Sequence, residues 1–188
     1  MIKIGVLGAG QLGRMMALAG YPLDFRLRFF DSATGAPAAQ VARCIVADFE
    51  DSNALRRFAA GLDVVTYEFE NVPARTARDL AGRVPCFLPP PRALEIAQDR
   101  YGQKMFFQTL GIPTPVFAAV SSREELPRGL ERTGLPAILK TRRWGYDGKG
   151  QSLLKTAEEA ERAWQTMRES PLILESFVRF DRELSLVA

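Results

Sequence analysis

The densest run of residues able to do chemistry is Lys140-Thr-Arg-Arg-Trp-Gly-Tyr-Asp-Gly-Lys-Gly-Gln151. A short apolar run, Pro136-Ala-Ile-Leu139, leads into it and Leu153-Leu154 follows, so the spacing predicts strand, loop, strand. An ordinary hairpin turn at Asp147-Gly148 accounts for one glycine. Gly145 and Gly150 are left over, and each glycine costs about 0.5–1 kcal/mol against alanine in conformational freedom. A loop whose backbone N–H groups must approach phosphate oxygens accounts for both, with Lys140 and Lys149 supplying positive charge. The stretch is not a Walker A loop, because no Gly-Lys-Ser/Thr follows.

A second candidate stands at the N-terminus. Ile2-Lys-Ile-Gly-Val-Leu7 reads as a strand, Gly8-Ala-Gly10-Gln-Leu-Gly13 as a tight turn, and the residues from Arg14 as a helix. Arg26–Phe30 is a second strand, ending in Asp31 about where a dinucleotide-binding acid would stand. Two readings are open: a nicotinamide site, or any α/β turn that holds an anion at a helix N-terminus. Asp31 reads equally as a strand-end turn residue. Further on, Glu68-Phe-Glu70 follows the apolar run Leu62–Tyr67. Period-two alternation places both carboxylates on one side at the C-terminal end of that strand, where ligands sit in a parallel sheet. The alternative is a pair of solvated acids.

Composition narrows the chemistry. The chain has 188 residues, 47% hydrophobic and 25% charged, as an ordinary globular protein does. Its formal net charge is +3, and the basic residues are interleaved with acids instead of forming a stripe, so nucleic acid is not an expected partner. No apolar run reaches 18 residues and the chain enters a strand at once, so neither a membrane span nor a signal peptide is expected. Cys44 and Cys86 read as buried free thiols of a cytosolic protein, with a disulfide as the alternative. There is no histidine, which removes Ser-His-Asp and Cys-His catalysis and most zinc sites. Lys, Arg, Asp, Glu and backbone groups must do the work.

The elements that position these residues follow in order. Strands at 44–47, 62–67 and 84–88 alternate with helices over 52–60 and from Pro73 to about Leu80, giving a doubly wound domain over the first ninety or so residues. Pro89-Pro-Pro91 marks a break. Helices are predicted from Arg92 and over Asp99–Leu110, ended by Gly111. A strand at 116–120, a helix opened by a Ser122…Glu125 capping box, the glycine-rich hairpin, a helix opened by Thr156…Glu159, and a strand at 172–175 come next. Arg182–Ala188 reads as a strand cut short.

Several of these motifs, in this order, carry a resemblance. Gly8-Ala-Gly-Gln-Leu-Gly-Arg14, Glu68-Phe-Glu-Asn-Val72, Asp99-Arg100…Lys104, Lys140–Gln151, and Glu175-Ser-Phe-Val178 with Glu183-Leu-Ser185 together resemble the N-terminal half of the ATP-grasp carboxylases of purine synthesis, the 5-(carboxyamino)imidazole ribonucleotide synthases. The resemblance implies a Rossmann-like pre-ATP-grasp domain over 1–91, a helical linker over 92–115, a small α+β lid subdomain over 116–180, and at 181–188 the start of a C-terminal ATP-grasp domain. It implies ATP phosphates at Arg100 and Lys140, under a cover of Gly145, Tyr146, Asp147, Gly148, Lys149, Gly150 and Gln151. Glu175, Ser176, Phe177 and Val178 would frame the adenine, and Glu183 would accept the ribose hydroxyls. Gln11, Leu12 and one or both of Glu68 and Glu70 would face aminoimidazole ribonucleotide, which bicarbonate carboxylates by way of carboxyphosphate. Mg2+ ligands are expected outside this chain, with none inside it, and the implied setting is a cytoplasmic homodimer. On this reading the 188 residues alone have no carboxylase turnover and at most weak ATP affinity. Another ATP-grasp ligase such as a glycinamide ribonucleotide transformylase, a nicotinamide-dependent dehydrogenase, and a non-catalytic nucleotide-binding module are the competing readings.

Overall fold

The computed structural model describes residues 1–145 and 150–186. The expectations placed on Tyr146, Asp147, Gly148 and Lys149, and on the last two residues, fall outside the described residues. The chain divides into two compact units, Met1–Ala97 and Gln98–Ala188, and the division falls within the 92–115 stretch.

In the first unit, strands β1 (Ile2–Leu7), β2 (Phe25–Asp31), β3 (Arg43–Val46), β4 (Val64–Tyr67) and β5 (Cys86–Phe87) form one sheet in the order β3-β2-β1-β4-β5. Every pairing is parallel. Helices α1 (Gln11–Gly20), α2 (Ser52–Ala59), α3 (Ala74–Ala81) and α4 (Pro91–Ala97) complete it. Alternation along the strands feeds two cores. Leu7, Phe30 and Val65 pack with Leu55, Phe58, Ala77 and Leu80, whereas Val6 and Phe29 pack with Ala17 and Leu27. Both faces are therefore covered, and the buried pairs Val6-Leu7 and Phe29-Phe30 show this at the carboxyl ends of β1 and β2, while Lys3, Arg26 and Arg28 interrupt their starts. The chain moves outward from β1 to β2 and β3, then returns to the other side of β1 for β4. That reversal puts a topological switch point beside the carboxyl end of β1.

The predicted strand over 84–88 is reduced to Cys86–Phe87, and the alternation read through Glu68 and Glu70 stops at Tyr67. The two carboxylates thus do not project from one strand face. The backbone turns at Glu68, whose side chain instead meets the glycine turn. Both cysteines are free, as expected, but half-buried.

The second unit is an antiparallel sheet, β6 (Phe117–Val120), β7 (Ala137–Thr141), β8 (Gln151–Leu154) and β9 (Leu172–Ser176), in the order β6-β9-β7-β8. One face carries Val120, Ala137, Leu139, Leu154, Leu172 and Leu174. These residues pack against α6 (Glu125–Thr133) and α7 (Ala157–Met167), which contribute Leu126, Ala160, Ala163 and Trp164. The alternate residues Phe117, Ile138, Lys140, Leu153, Ile173 and Glu175 lie on the opposite face, which α5 (Arg100–Thr109) covers in part. Tyr101 of α5 meets Phe117 edge-on, with ring centroids 5.5 Å apart.

Both capping boxes take a shifted form. Thr156 accepts from Glu159 N–H at 3.3 Å, but the Glu159 carboxylate reaches Lys155 N–H at 2.6 Å instead of the N-cap amide. Glu125 likewise reaches Ser121 N–H at 2.6 Å, and Ser122 does not cap α6. Arg182–Leu186 forms no strand. Leu184 and Leu186 are 88% and 92% exposed, and among the described residues the segment pairs with no strand.

Candidate functional site

Within the second unit, the half-open sheet face collects charge. Lys140, on β7, donates to Glu175 Oε2 at 3.0 Å, and Lys104 Nζ, on α5, lies 3.4 Å from the same oxygen. Glu175 is buried, and both lysines are mostly covered, with side chains 20% and 16% exposed. Stripping a buried carboxylate of both counter-ions would leave an uncompensated buried charge, which is strongly destabilising.

The base of the glycine-rich loop is fastened to the start of α5. Asp99 caps that helix, accepting from Tyr101 N–H at 2.9 Å and Gly102 N–H at 3.2 Å. The same carboxylate takes a two-pronged bond from Arg142, with Nε at 3.0 Å and Nη2 at 2.6 Å. Arg142 also stacks over the Tyr101 ring at 5.0 Å, and its backbone N–H donates to Pro171 O at 2.9 Å. Burial pushes the Asp99 carboxyl up. The Arg142 fork and the two backbone donors outweigh that, so its pKa is held below the usual 3.8. Arg100 N–H donates to Arg142 O at 3.0 Å, and its guanidinium donates to Gly145 O at 2.7 Å.

Arg100 is thus tied to the base of that loop. It lies half-buried against the loop it was expected to share with Lys140. Gly150 has a local reason to be glycine. Its φ is +70°, and a Cβ there would stand 2.7 Å from Thr141 Oγ1, so one of the two leftover glycines is explained without a ligand. Trp144, just before the loop, is 69% exposed and has φ of 64°, a left-handed conformation rare for a bulky residue.

Farther along β7 and β8, Leu135, Pro136, Leu153, Lys155 and Phe177 line a mostly apolar cavity of about 380 Å³. Ser176 ends β9, whereas Phe177, Val178 and Glu183 lie beyond it and are exposed. The unit thus sets cationic groups beside an open apolar hollow, a pairing suited to a nucleotide's phosphates and base.

In the first unit, Glu68 accepts from the N–H groups of Gly10 and Gly13. Asp31 accepts from Ala9 N–H at 2.7 Å and Ala33 N–H at 2.8 Å. The glycines admit this carboxylate: a Cβ on Gly8, Gly10 or Gly13 would approach Glu68 atoms to 2.6, 2.8 and 3.0 Å. The helix N-terminus that could cradle a pyrophosphate already holds the protein's own anion. Gln11 and Leu12 are exposed on the first turn of α1 beside it, and Glu70 is exposed past the turn. Asp99 and Lys104 stand in a quoted motif and Arg142 within the glycine-rich stretch, but sequence reasoning gave none of the three a role. Arg100 and Lys104 are four residues apart on one helix, a spacing that could have placed both cations on one face.

Comparison with known proteins agrees with these two units. Residues 1–98 match the ribonucleotide synthetase preATP-grasp domain, and residues 105–188 match the ATP-grasp domain. The N5-carboxyaminoimidazole ribonucleotide synthase of Pseudomonas aeruginosa is 49% identical over 187 residues, covering 100% of this chain and 52% of its own length. That of Brucella melitensis is 46% identical over 188 residues, covering 98% and 52%. The N5-carboxyaminoimidazole ribonucleotide synthetase structure from Thermus thermophilus superimposes with a TM-score of 0.86 at 55% identity, covering 95% of this chain and 48% of that one. An Aspergillus clavatus N5-carboxyaminoimidazole synthase, solved with ADP and 5-aminoimidazole ribonucleotide, gives 0.84 at 28% identity, covering 96% and 47%. The chain spans about half the length of the curated relatives it matches. On the match that runs through residues 1–98, with an ATP-grasp segment after it, the chain belongs to the ribonucleotide synthetase preATP-grasp family.

Proposed function

We propose that this chain forms the ribonucleotide-side domain and one wall of the nucleotide site of an ADP-forming ATP-grasp ligase. The ligase carboxylates 5-aminoimidazole ribonucleotide to its N5-carboxyamino form. The observation that carries this is the set of cations gathered at one sheet face, Lys140 of β7 and Lys104 of α5 at Glu175 with Arg100 of α5 bonded to the adjoining loop at Gly145 O, beside the hollow at Leu153 and Phe177. In this reading Lys140 and Arg100 neutralise ATP phosphates, and the 145–151 loop covers them. Leu153, Phe177 and the backbone of 175–178 receive the adenine, and Glu183 takes the ribose. Residues 1–91 carry the ribonucleotide at Gln11, Leu12 and Glu70. Glu68, engaged by Gly10 and Gly13, holds the turn that presents them.

Phosphoryl transfer of this kind is mainly positioning and charge neutralisation, which lysine, arginine and backbone donors provide without histidine. Bicarbonate takes the γ-phosphoryl group to give carboxyphosphate. The carbon dioxide released from it is captured by the exocyclic amine of the ribonucleotide as a carbamate. Mg2+ would add to the neutralisation of phosphate charge that Lys140 and Arg100 supply. This reading assigns its protein ligands to the C-terminal ATP-grasp domain of such ligases and none to residues of this chain. A cytoplasmic homodimer is part of the same reading; sedimentation of the purified protein tests the dimer.

The test is calorimetry with Mg-ATP and with NADH on the wild type and Lys140→Ala. Binding of ATP that weakens at least about tenfold in the variant, with no NADH response, is the expected result. NADH binding unaffected by the substitution would move the site to Gly8–Gly13 and overturn the assignment.

A further inference from the structure

Glu175 is held by two ammonium groups on a single oxygen, Lys140 Nζ at 3.0 Å from β7 and Lys104 Nζ at 3.4 Å from α5. Its side chain is only 7% exposed. A carboxylate so placed cannot lose all its cations cheaply, because an unpaired buried charge is strongly destabilising. Lys140 stands next to the open part of the sheet face, whereas Lys104 approaches from the covering helix. If Lys140 turns toward phosphate, Glu175 still has a counter-ion, provided Lys104 stays.

We propose that Lys104 is a positioning residue for nucleotide binding: it keeps Glu175 neutralised, so that Lys140 can leave that carboxylate for the phosphates. The inference rests on the reading of Lys140 as a phosphate-facing residue. Without Lys104, Glu175 competes with the nucleotide for the one remaining lysine, and ATP must break a buried ion pair to recruit it. The trio carries one net positive charge, which becomes the charge offered to the ligand.

The whole chain can be tested as wild type, Lys104→Met, Glu175→Gln, the double variant and Lys104→Arg. Thermal denaturation without nucleotide reads the pairing. Lys104→Met lowers Tm by several degrees, and adding Glu175→Gln recovers part of the loss, whereas strictly additive losses would overturn the role. Calorimetry with Mg-ATP reads the consequence. Lys104→Met weakens binding about tenfold, Lys104→Arg retains it, and the Lys104→Met/Glu175→Gln double variant regains most of it, because no carboxylate then holds Lys140 back. Wild-type affinity in Lys104→Met would refute the proposal. So would a double variant as weak as the single, since Lys104 would then touch the phosphates directly. If the wild type binds no ATP, or Lys140→Ala binds as well as the wild type, the nucleotide reading itself fails, and with it the purpose assigned to Lys104. The thermal cycle still reports whether the pairing exists.

Discussion

Asp99 does two jobs with one carboxylate, and two substitutions can take them apart. It caps α5 through Tyr101 and Gly102, and it holds the Arg142 fork at 3.0 and 2.6 Å. Replacement by alanine removes both. Loss of an N-cap costs about 1 kcal/mol. Orphaning a charged donor costs about 1.5–3 kcal/mol, taken here near the low end because Arg142 keeps the Tyr101 ring and some solvent. The sum is about 3 kcal/mol. For a unit of this size about 4–8 °C accompanies each kcal/mol, so Tm should fall by roughly 12–24 °C. Asparagine keeps the cap and forfeits the ion pair, so Asp99→Asn should lose only about two-thirds as much. The pair also has a pH signature. The Asp99 pKa is lowered in the folded state, so its contribution is present above the unfolded value of 3.8 and disappears as pH falls through the lower folded value. The gap between wild type and Asp99→Asn should therefore be constant near neutrality and close in strong acid. Differential scanning fluorimetry from about pH 2 to about pH 8, which brackets both limits, measures it. Equal losses for the two variants, or a gap that widens in acid, would refute the division of labour.

Two further perturbations follow from the same geometry. Glu68→Gln replaces a carboxylate seated on the α1 N-terminus with an amide that can accept only on its oxygen, so the first unit should lose about 2 kcal/mol. Chemical denaturation monitored by circular dichroism would read the loss, and an unchanged midpoint would mean that the turn is held by other contacts. Trp144→Gly should raise Tm by a few degrees, because the relief of about 1–2 kcal/mol of left-handed strain exceeds the roughly 0.5–1 kcal/mol gained by the more flexible unfolded chain. Trp144→Val should lower it, since a β-branched residue tolerates that conformation worse. A Gly variant less stable than wild type would mean that the exposed indole makes contacts outweighing the strain.

What the sequence made legible was what a single stretch can encode. The order of strands and helices followed from local periodicity, from the cap at Thr156 and from the stop at Gly111. The hairpin around the glycine-rich loop followed from two apolar runs, and β7 does pair with β8. The pairing partners were not legible, because they join residues far apart in the chain. Glu68 meets Gly10 across 58 positions, Arg142 meets Asp99 across 43, and Lys140 meets Glu175 across 35. Alternation at 68–70 was misread for a related reason. A strand's period continues on paper past the point where the backbone leaves the sheet, and nothing local to Tyr67 marks that exit.

The glycines show how one residue type can answer two demands that a sequence does not separate. Gly8, Gly10 and Gly13 have the spacing of a dinucleotide turn, and the usual inference is that a phosphate needs the room. Here an internal carboxylate occupies that room, and Asp31, the other acid a dinucleotide site would want, is spent on Ala9 and Ala33. The physical requirement is the same in both cases: bare N–H groups at a helix N-terminus draw an anion and exclude Cβ atoms. Whether that anion is a ligand or a side chain depends on a residue more than fifty positions away. In the second unit Gly150 is glycine because of Thr141, so the loop's composition alone overstates the case for phosphate. The argument for a nucleotide there rests instead on Lys140 of β7 with Arg100 and Lys104 of α5, cations that two elements bring to one open sheet face. Only the fold could bring those three together.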